Sequence, residues 1–161
     1  MRSFGDFRVL TPELVDGIAV YLRERYGILK TTWEDYIWLR RDDATAIWVL
    51  GKKARSARLI GLETSGILAF RQPPPEGYPT NGFMRVFGAH AQRNIFEILD
   101  ESTLLCFLHG ESIQNGSPPE EQGYCPVLYN GLAVGRGEWK NGVLKCMLPK
   151  ALRLQDTTRK T

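Results

Sequence analysis

Apolar residues late in the chain fall into three short runs, Tyr124–Tyr129, Leu132–Gly137 and Val143–Leu148, separated by Asn130-Gly131 and Asn141-Gly142. Asn and Gly take positive φ more readily than other residues, and the type I′ turn of a two-residue hairpin needs positive φ at both central positions. The pattern predicts a three-stranded antiparallel meander. Pro149 follows it, where a missing N–H no longer removes a ladder bond.

Earlier in the chain the period changes. Leu14, Ile18, Leu22 and Tyr26 recur every four residues, with Val15 and Ala19 beside them, which predicts an amphipathic helix. Thr11 stands at its N-cap, Pro12 at its first position, and Gly27 at its end after Arg23 and Arg25. A short strand, Phe7–Leu10, precedes it. Tyr36–Arg40 and Thr45–Leu50 are aromatic and β-branched and predict a second hairpin, in which Trp38 and Trp48 can meet across the strands. Leu59–Leu62 and Ile67–Arg71 follow, the latter with a strand at Ile67–Phe70. Gln72–Thr80 holds Pro73, Pro74, Pro75, Gly77 and Pro79 and predicts a linker or surface loop. Beyond it, Phe83–Phe87 and Arg93–Leu99 read as strands. Asp100 or Ser102 caps a short helix through His109, stopped by Gly110, and Glu111–Glu121 reads as a loop.

Composition narrows the classes. The chain has 161 residues, 43% of them hydrophobic, and a net charge of +3. That suits one domain or two small ones with a packed core. Only three cysteines (Cys106, Cys125, Cys146) and two histidines occur, without a CxxC pair, so neither a structural zinc site nor a disulfide scaffold is expected. One Cys125–Cys146 bridge stays compatible with the spacing. The N-terminus lacks a signal-peptide core, and no apolar run reaches the roughly 18 residues of a membrane span, so a cytoplasmic protein is expected.

Catalytic signatures are sparse. Gly135-Arg136-Gly137 lies inside a strand-like run without a following helix, which argues against a dinucleotide fingerprint. Cys106 and His109 are three residues apart but in an apolar run. Glu120-Glu121 lies in a Pro-rich loop, where adjacent carboxylates are usually solvated. Positive charge is better organised. From Val134 onward seven basic residues face two acidic ones. The basic groups are Lys52, Lys53, Arg55 and Arg58; Arg85 and Arg93; and Arg136, Lys140, Lys145, Lys150 and Arg153. Such groups, beside glycines and near Tyr129 or Trp139, suit phosphate contact and base stacking.

Three stretches carry a resemblance: Met84–Ala91 (MRVFGAHA), Phe107–Ile113 (FLHGESI), and Gly123–Arg153, opening GYCPVLYNGLAVGRGEWKNG. They resemble a PUA-like domain, closest to the RNA-binding C-terminal region of the NOL1/NOP2/Sun family of RNA cytosine-5 methyltransferases. The two-part layout also resembles Nip7-type ribosome-biogenesis proteins. The resemblance implies an α+β chain: a pre-PUA-like α+β domain over 1–72, a PUA-like β-pseudobarrel over 78–155, and a frayed tail over 156–161. It implies RNA along the helix, the loop after it and a neighbouring strand. On this chain that points to His109, Gly110, Glu111 and Ile113, to Gly88 and His90, and to Lys145, Lys150 and Arg153; the charge pattern adds Arg85 to this RNA-binding set, and Lys52, Lys53, Arg55 and Arg58 as a secondary patch. The family's Pro-Cys catalytic motif is absent, since Cys125-Pro126 has the reverse order, and so is a Gly-rich cofactor loop. The expectation is therefore non-catalytic binding of structured RNA, tRNA or rRNA, in RNA modification or ribosome biogenesis. Neither cofactor, metal, DNA nor membrane is expected, and the further partner is an RNA-modification enzyme or a pre-ribosomal protein. Two alternatives remain open: an adaptor presenting Trp33, Trp38, Trp48 or Trp139, and a small RNA-modifying enzyme using His90 or His109.

Overall fold

The computed structural model describes residues 7–41, 44–53 and 66–155. The chain divides into two compact units, Met1–Phe83 and Met84–Thr161. The division falls beyond the Pro-rich stretch, which turns back onto the first unit. Thr80 N–H donates to Ala69 O at 2.9 Å, and Phe70 bridges to Pro79.

The first unit is an antiparallel sheet of β1 (Phe7–Val9), β2 (Tyr36–Arg41), β3 (Ile47–Gly51) and β4 (Ile67–Phe70), in that spatial order, with α1 (Pro12–Tyr26). The expected end signals of α1 are in place, with Thr11 at the N-cap and Gly27 at φ 68°, although the Thr11 side chain makes no capping bond. Ile18, Leu22 and Tyr26 are buried, while Leu14 stays 47% exposed. Trp38 and Trp48 do not meet. Trp38 pairs with Val49 and Trp48 with Leu39, so the two side chains take opposite faces. Trp38 instead packs against Trp33, Phe70 and Phe83, with ring centroids 5.6, 6.3 and 6.1 Å away.

Two expected strands are corrected. Phe83–Phe87 belongs to a helix, α2 (Asn81–Phe87). Thr80 starts it by accepting the N–H of Phe83 at 3.1 Å, the N-cap to N3 bond. Phe83, Met84 and Phe87 are buried and Arg85 and Val86 exposed, which is helical spacing. The Arg93–Leu99 strand shrinks to β5 (Phe96–Ile98), because Asn94 takes φ 53° and breaks the extended backbone.

The second unit carries β5, α3 (Glu101–Leu108), β6 (Gly123–Tyr129), β7 (Leu132–Lys140) and β8 (Val143–Cys146). The meander is as expected: Asn130 and Gly131 take φ 49° and 77°, Asn141 and Gly142 52° and 77°. β5 runs parallel to β6 at one edge, and β8 forms the other. One extended segment joins both edges. Ile113 exchanges backbone hydrogen bonds with Leu144 of β8 (2.9 and 2.8 Å), and Ser117 with Glu97 of β5 (both 2.9 Å). Pairing at both edges curls the sheet into a pseudobarrel. Phe96, Ile98, Phe107, Ile113, Cys125, Val127, Leu144, Cys146 and Leu148 fill it.

Cys125, Gly137 and Cys146 stand in one cross-strand row. Two strand spacings separate the cysteines by roughly 9–10 Å, beyond disulfide reach. All three cysteines are free. A Cβ on Gly137 would stand 2.6 Å from Leu144 Cδ1. Gly137→Ala is expected to lower stability by about 1–3 kcal/mol through overpacking. Urea denaturation checks this, and an unchanged midpoint would contradict it.

Candidate nucleic-acid interface

The C-terminal end of α3 is where the chain gathers the expected site residues. Asp100 caps the other end, accepting from Thr103 N–H at 2.8 Å and from the Ser102 and Thr103 hydroxyls. Phe107 is buried in the barrel, with Leu104 and Leu108 packed beside it. Leu105, on the other side of the helix, is 44% exposed. Gly110 ends the helix at φ 89°. Its N–H donates to Phe107 O (2.9 Å) and that of Glu111 to Cys106 O (3.0 Å), the paired bonds of a Schellman stop.

The chain then returns to this stop. A 3₁₀ turn at Lys150–Leu152 leads to Arg153 and Leu154. Leu154 N–H donates to Leu108 O at 2.9 Å, and His109 Nδ1 lies 3.2 Å from Leu154 O. Arg153 crosses the bare face of Gly110: a Cβ there would lie 2.6–2.8 Å from its Cδ, Nε and Cζ. Its Nε donates to Leu148 O at 3.0 Å. A guanidinium at the negative end of a helix is favourably placed. His109, Gly110, Glu111, Lys150 and Arg153 thus form one surface.

Other expected residues lie elsewhere or have other work. Ile113 is only 5% exposed and belongs to the core, so its side chain is not a surface contact. Gly88 is buried too: a Cβ on it would meet Pro126 Cβ at 2.9 Å, so its bareness serves the packing of the Gly88–His90 turn on β6 and β7. Gly110 admits Arg153 rather than an outside backbone. Arg85 and His90 are exposed on α2 and that turn. Lys145 is exposed on β8, opposite Glu138 of β7, so a carboxylate bearer stands beside it. Lys52 and Lys53 are exposed in the other unit, and Arg55 and Arg58 lie outside the described residues. Of the four tryptophans, Trp33 and Trp38 are buried and Trp48 and Trp139 half-buried, Trp139 against Phe96 (5.6 Å). They form no exposed aromatic patch of the kind an adaptor would present.

Two contacts went unread in the sequence. Arg136 stacks over the Tyr124 ring, 4.5 Å from its centroid, on the outward face of β6 and β7. Alternation counted from the Asn130-Gly131 turn would set Arg136 opposite Cys125, and the bulge between Val127 and Leu128 is what moves it to the face of Tyr124. Glu120, expected to be solvated, accepts Asn94 N–H at 2.6 Å, while Asn94 Oδ1 accepts Glu121 N–H at 3.0 Å. This clamp holds the loop before β6 against the turn before β5.

Electrostatics separate structural from reactive groups. Desolvation, then the Glu111 carboxylate, pushes the Cys106 thiol up, the opposite of what an activated nucleophile needs. Burial likewise raises Cys146, whose Sγ–H donates to Phe107 O. Among the described residues no group of His, Cys, Asp and Glu is placed to hold a metal ion, and no helix is long and apolar enough to cross a membrane.

A curled sheet closed by one loop segment, with a short helix plugging its side and a basic turn at that helix's end, is a PUA-like domain. Residues 93–154 match the family model described as the methyltransferase RsmF PUA domain. The second unit therefore resembles the C-terminal regions of Sun-family methyltransferases, a class of RNA-binding domain. No curated protein matches the chain.

Two outcomes are expected. Gly110→Ala forces an L-residue to positive φ and displaces Arg153, lowering stability by about 1–2 kcal/mol. The Arg153 Nε–H, observed by NMR, should then exchange faster, and an unaltered rate would show that Gly110 does not seat it. The second concerns acid. Ser102 and then Thr103 hold the Asp100 carboxyl below its usual range, so its stabilisation is present above the unfolded value and lost as pH falls through the folded one. The melting temperature should drop as pH falls below about 4, less steeply in Asp100→Asn; parallel acid limbs would contradict this.

Proposed function

We propose that this chain binds structured RNA, tRNA or rRNA, through its C-terminal unit, and that it does so without catalysing a reaction. The observation that carries the reading is the gathering of His109, Glu111, Lys150 and Arg153 at one end of α3 in a segment that matches a PUA domain. Roles follow from charge. The end of α3 is negative by its dipole and carries Glu111, so phosphates are disfavoured there except against Arg153. Lys150 and Lys145, both exposed, suit the phosphate backbone and fix register without reading sequence. His109 and Glu111 offer hydrogen-bonding groups to ribose or base edges.

The matched family is that of a methyltransferase PUA domain, which supports a role beside RNA modification; we extend this reading to ribosomal RNA during ribosome assembly in the cytoplasm. An RNA-modification enzyme or a pre-ribosomal protein is the partner this reading implies.

The test is an affinity titration with tRNA and rRNA fragments across salt concentrations. Lys145→Ala/Lys150→Ala should weaken binding and reduce the slope of log K against log salt by about 1–2. Identical affinity and slope would remove these lysines from the interface. Absence of binding to any RNA would remove the function itself.

A further inference from the structure

In the first unit, α1 leaves part of its apolar surface unused. Leu14 and Val20 are 47% and 42% exposed, although Ile18 and Leu22 of the same helix are buried. Single exposed aliphatic residues are ordinary. These two line one concave surface, an opening of about 400 Å³ between α1 and Pro73–Pro75. Buried Leu10, Ile18 and Ile47 line it as well. The volume is within the size of ligand pockets, about 300–1,000 Å³. Because Leu14 and Val20 are accessible, an occupant meets apolar surface directly.

Gly17 carries the second observation. It sits inside the helix, where only proline is less favourable. It is exposed, it lines the opening, and a Cβ on it would meet nothing within 4 Å. The packing of the unit therefore does not require a glycine there. A bare backbone admits close approach from outside. Residues three and four apart are neighbours on a helix, so Glu13, Gly17, Val20 and Glu24 form one ridge. The ridge reads carboxylate, notch, aliphatic, carboxylate, with its ends about 16 Å apart.

Charge selects the occupant. Arg40 also lines the opening, so two carboxylates stand against one guanidinium. Arg23 lies 3.8 Å from Glu24, but the two side chains are 59% and 70% exposed, and such a pair contributes little. Phosphate is disfavoured along a ridge that ends in carboxylates. A second copy is disfavoured too, since two such ridges laid together would oppose like charges whichever way the helices ran. The facing wall is three prolines, which have no N–H, so a peptide is not held there as an added strand.

We propose that this opening docks a short extended segment of a partner protein, with an aliphatic side chain over Gly17 and a lysine or arginine two residues away on each side. In an extended chain residues i, i+2 and i+4 share a face, and about five residues cover the distance between Glu13 and Glu24. The aliphatic side chain lies against Leu14 and Val20, the basic ones reach the two carboxylates, and Arg40 donates to a carbonyl of the segment. The proposal does not rest on the α3 surface of the other unit.

The experiment is amide chemical-shift titration of the labelled whole chain with three peptides capped at both ends: Lys-Ala-Leu-Ala-Lys, Glu-Ala-Leu-Ala-Glu and Lys-Ala-Ser-Ala-Lys. The first should shift amides between Glu13 and Glu24 and bind about tenfold more tightly than the second. Glu13→Gln/Glu24→Gln should remove that preference. Replacing leucine by serine should weaken binding about fivefold or more. Gly17→Gln should melt no lower than the native chain, because glutamine is the better helix former and has open space, yet bind the first peptide at least about fivefold more weakly. Equal binding of the basic and acidic peptides, or binding indifferent to Gly17→Gln, overturns the proposal. So does a lower melting temperature in that variant, which would show that the fold itself needs the notch. Shifts along the ridge with an RNA fragment instead of the peptides, or self-association that Gly17→Gln abolishes, would give the opening to a different occupant and overturn it as well. Because Lys145 and Lys150 are untouched, failure here is separable from failure of the C-terminal interface.

Discussion

The second unit depends on one segment of five residues pairing with both edges of its sheet. Ile113 and Ser117 make two backbone hydrogen bonds each, to β8 and to β5. An open four-stranded sheet would leave two rows of unpaired backbone groups and one uncovered apolar face. The closing segment removes the edges, and the Ile113 side chain fills the interior it encloses. The Asn94–Glu120–Glu121 clamp sets where that loop returns to the sheet. Loosening either would disperse the residues that the barrel holds around α3.

The interface is assembled from the ends of elements. The Schellman stop at Gly110 leaves a bare backbone surface, and Arg153 occupies it while bound to Leu148 O. The outermost residues of the described chain are thereby tied to the helix they follow by some forty positions. A carboxylate at Glu111, a helix dipole of the same sign and a guanidinium between them make a surface of mixed polarity. Such a surface favours recognition by shape and hydrogen bonding over bulk attraction to phosphate, in keeping with a net charge of only +3.

What could be read from the sequence follows from how local each signal is. Asn-Gly pairs fix a turn within four residues, so both hairpins of the meander were legible. Proline and glycine likewise bracketed α1. Phe83–Phe87 misled because a short, mostly apolar run can be a buried strand or a turn of helix, and Thr80, five residues before the Arg85 at its middle, decided the matter by capping. Ile113 misled for another reason. Its burial is set by pairing with β8, thirty-one residues later, which no local pattern announces. The seating of Arg153 on Gly110 and the Glu120 clamp are of the same long-range kind. The family resemblance pointed to residues that the fold gathers at the end of α3, but it also transferred exposure to Gly88 and Ile113, which serve packing.

The central claim is that RNA lies against the C-terminal end of α3 and the turn that folds back on it. Amide chemical-shift mapping of the labelled chain with a tRNA or rRNA fragment tests this most directly. The account predicts the largest changes at His109–Glu111, Lys150–Leu154 and Lys145. Changes confined to residues outside those segments, with these three unmoved, would contradict it.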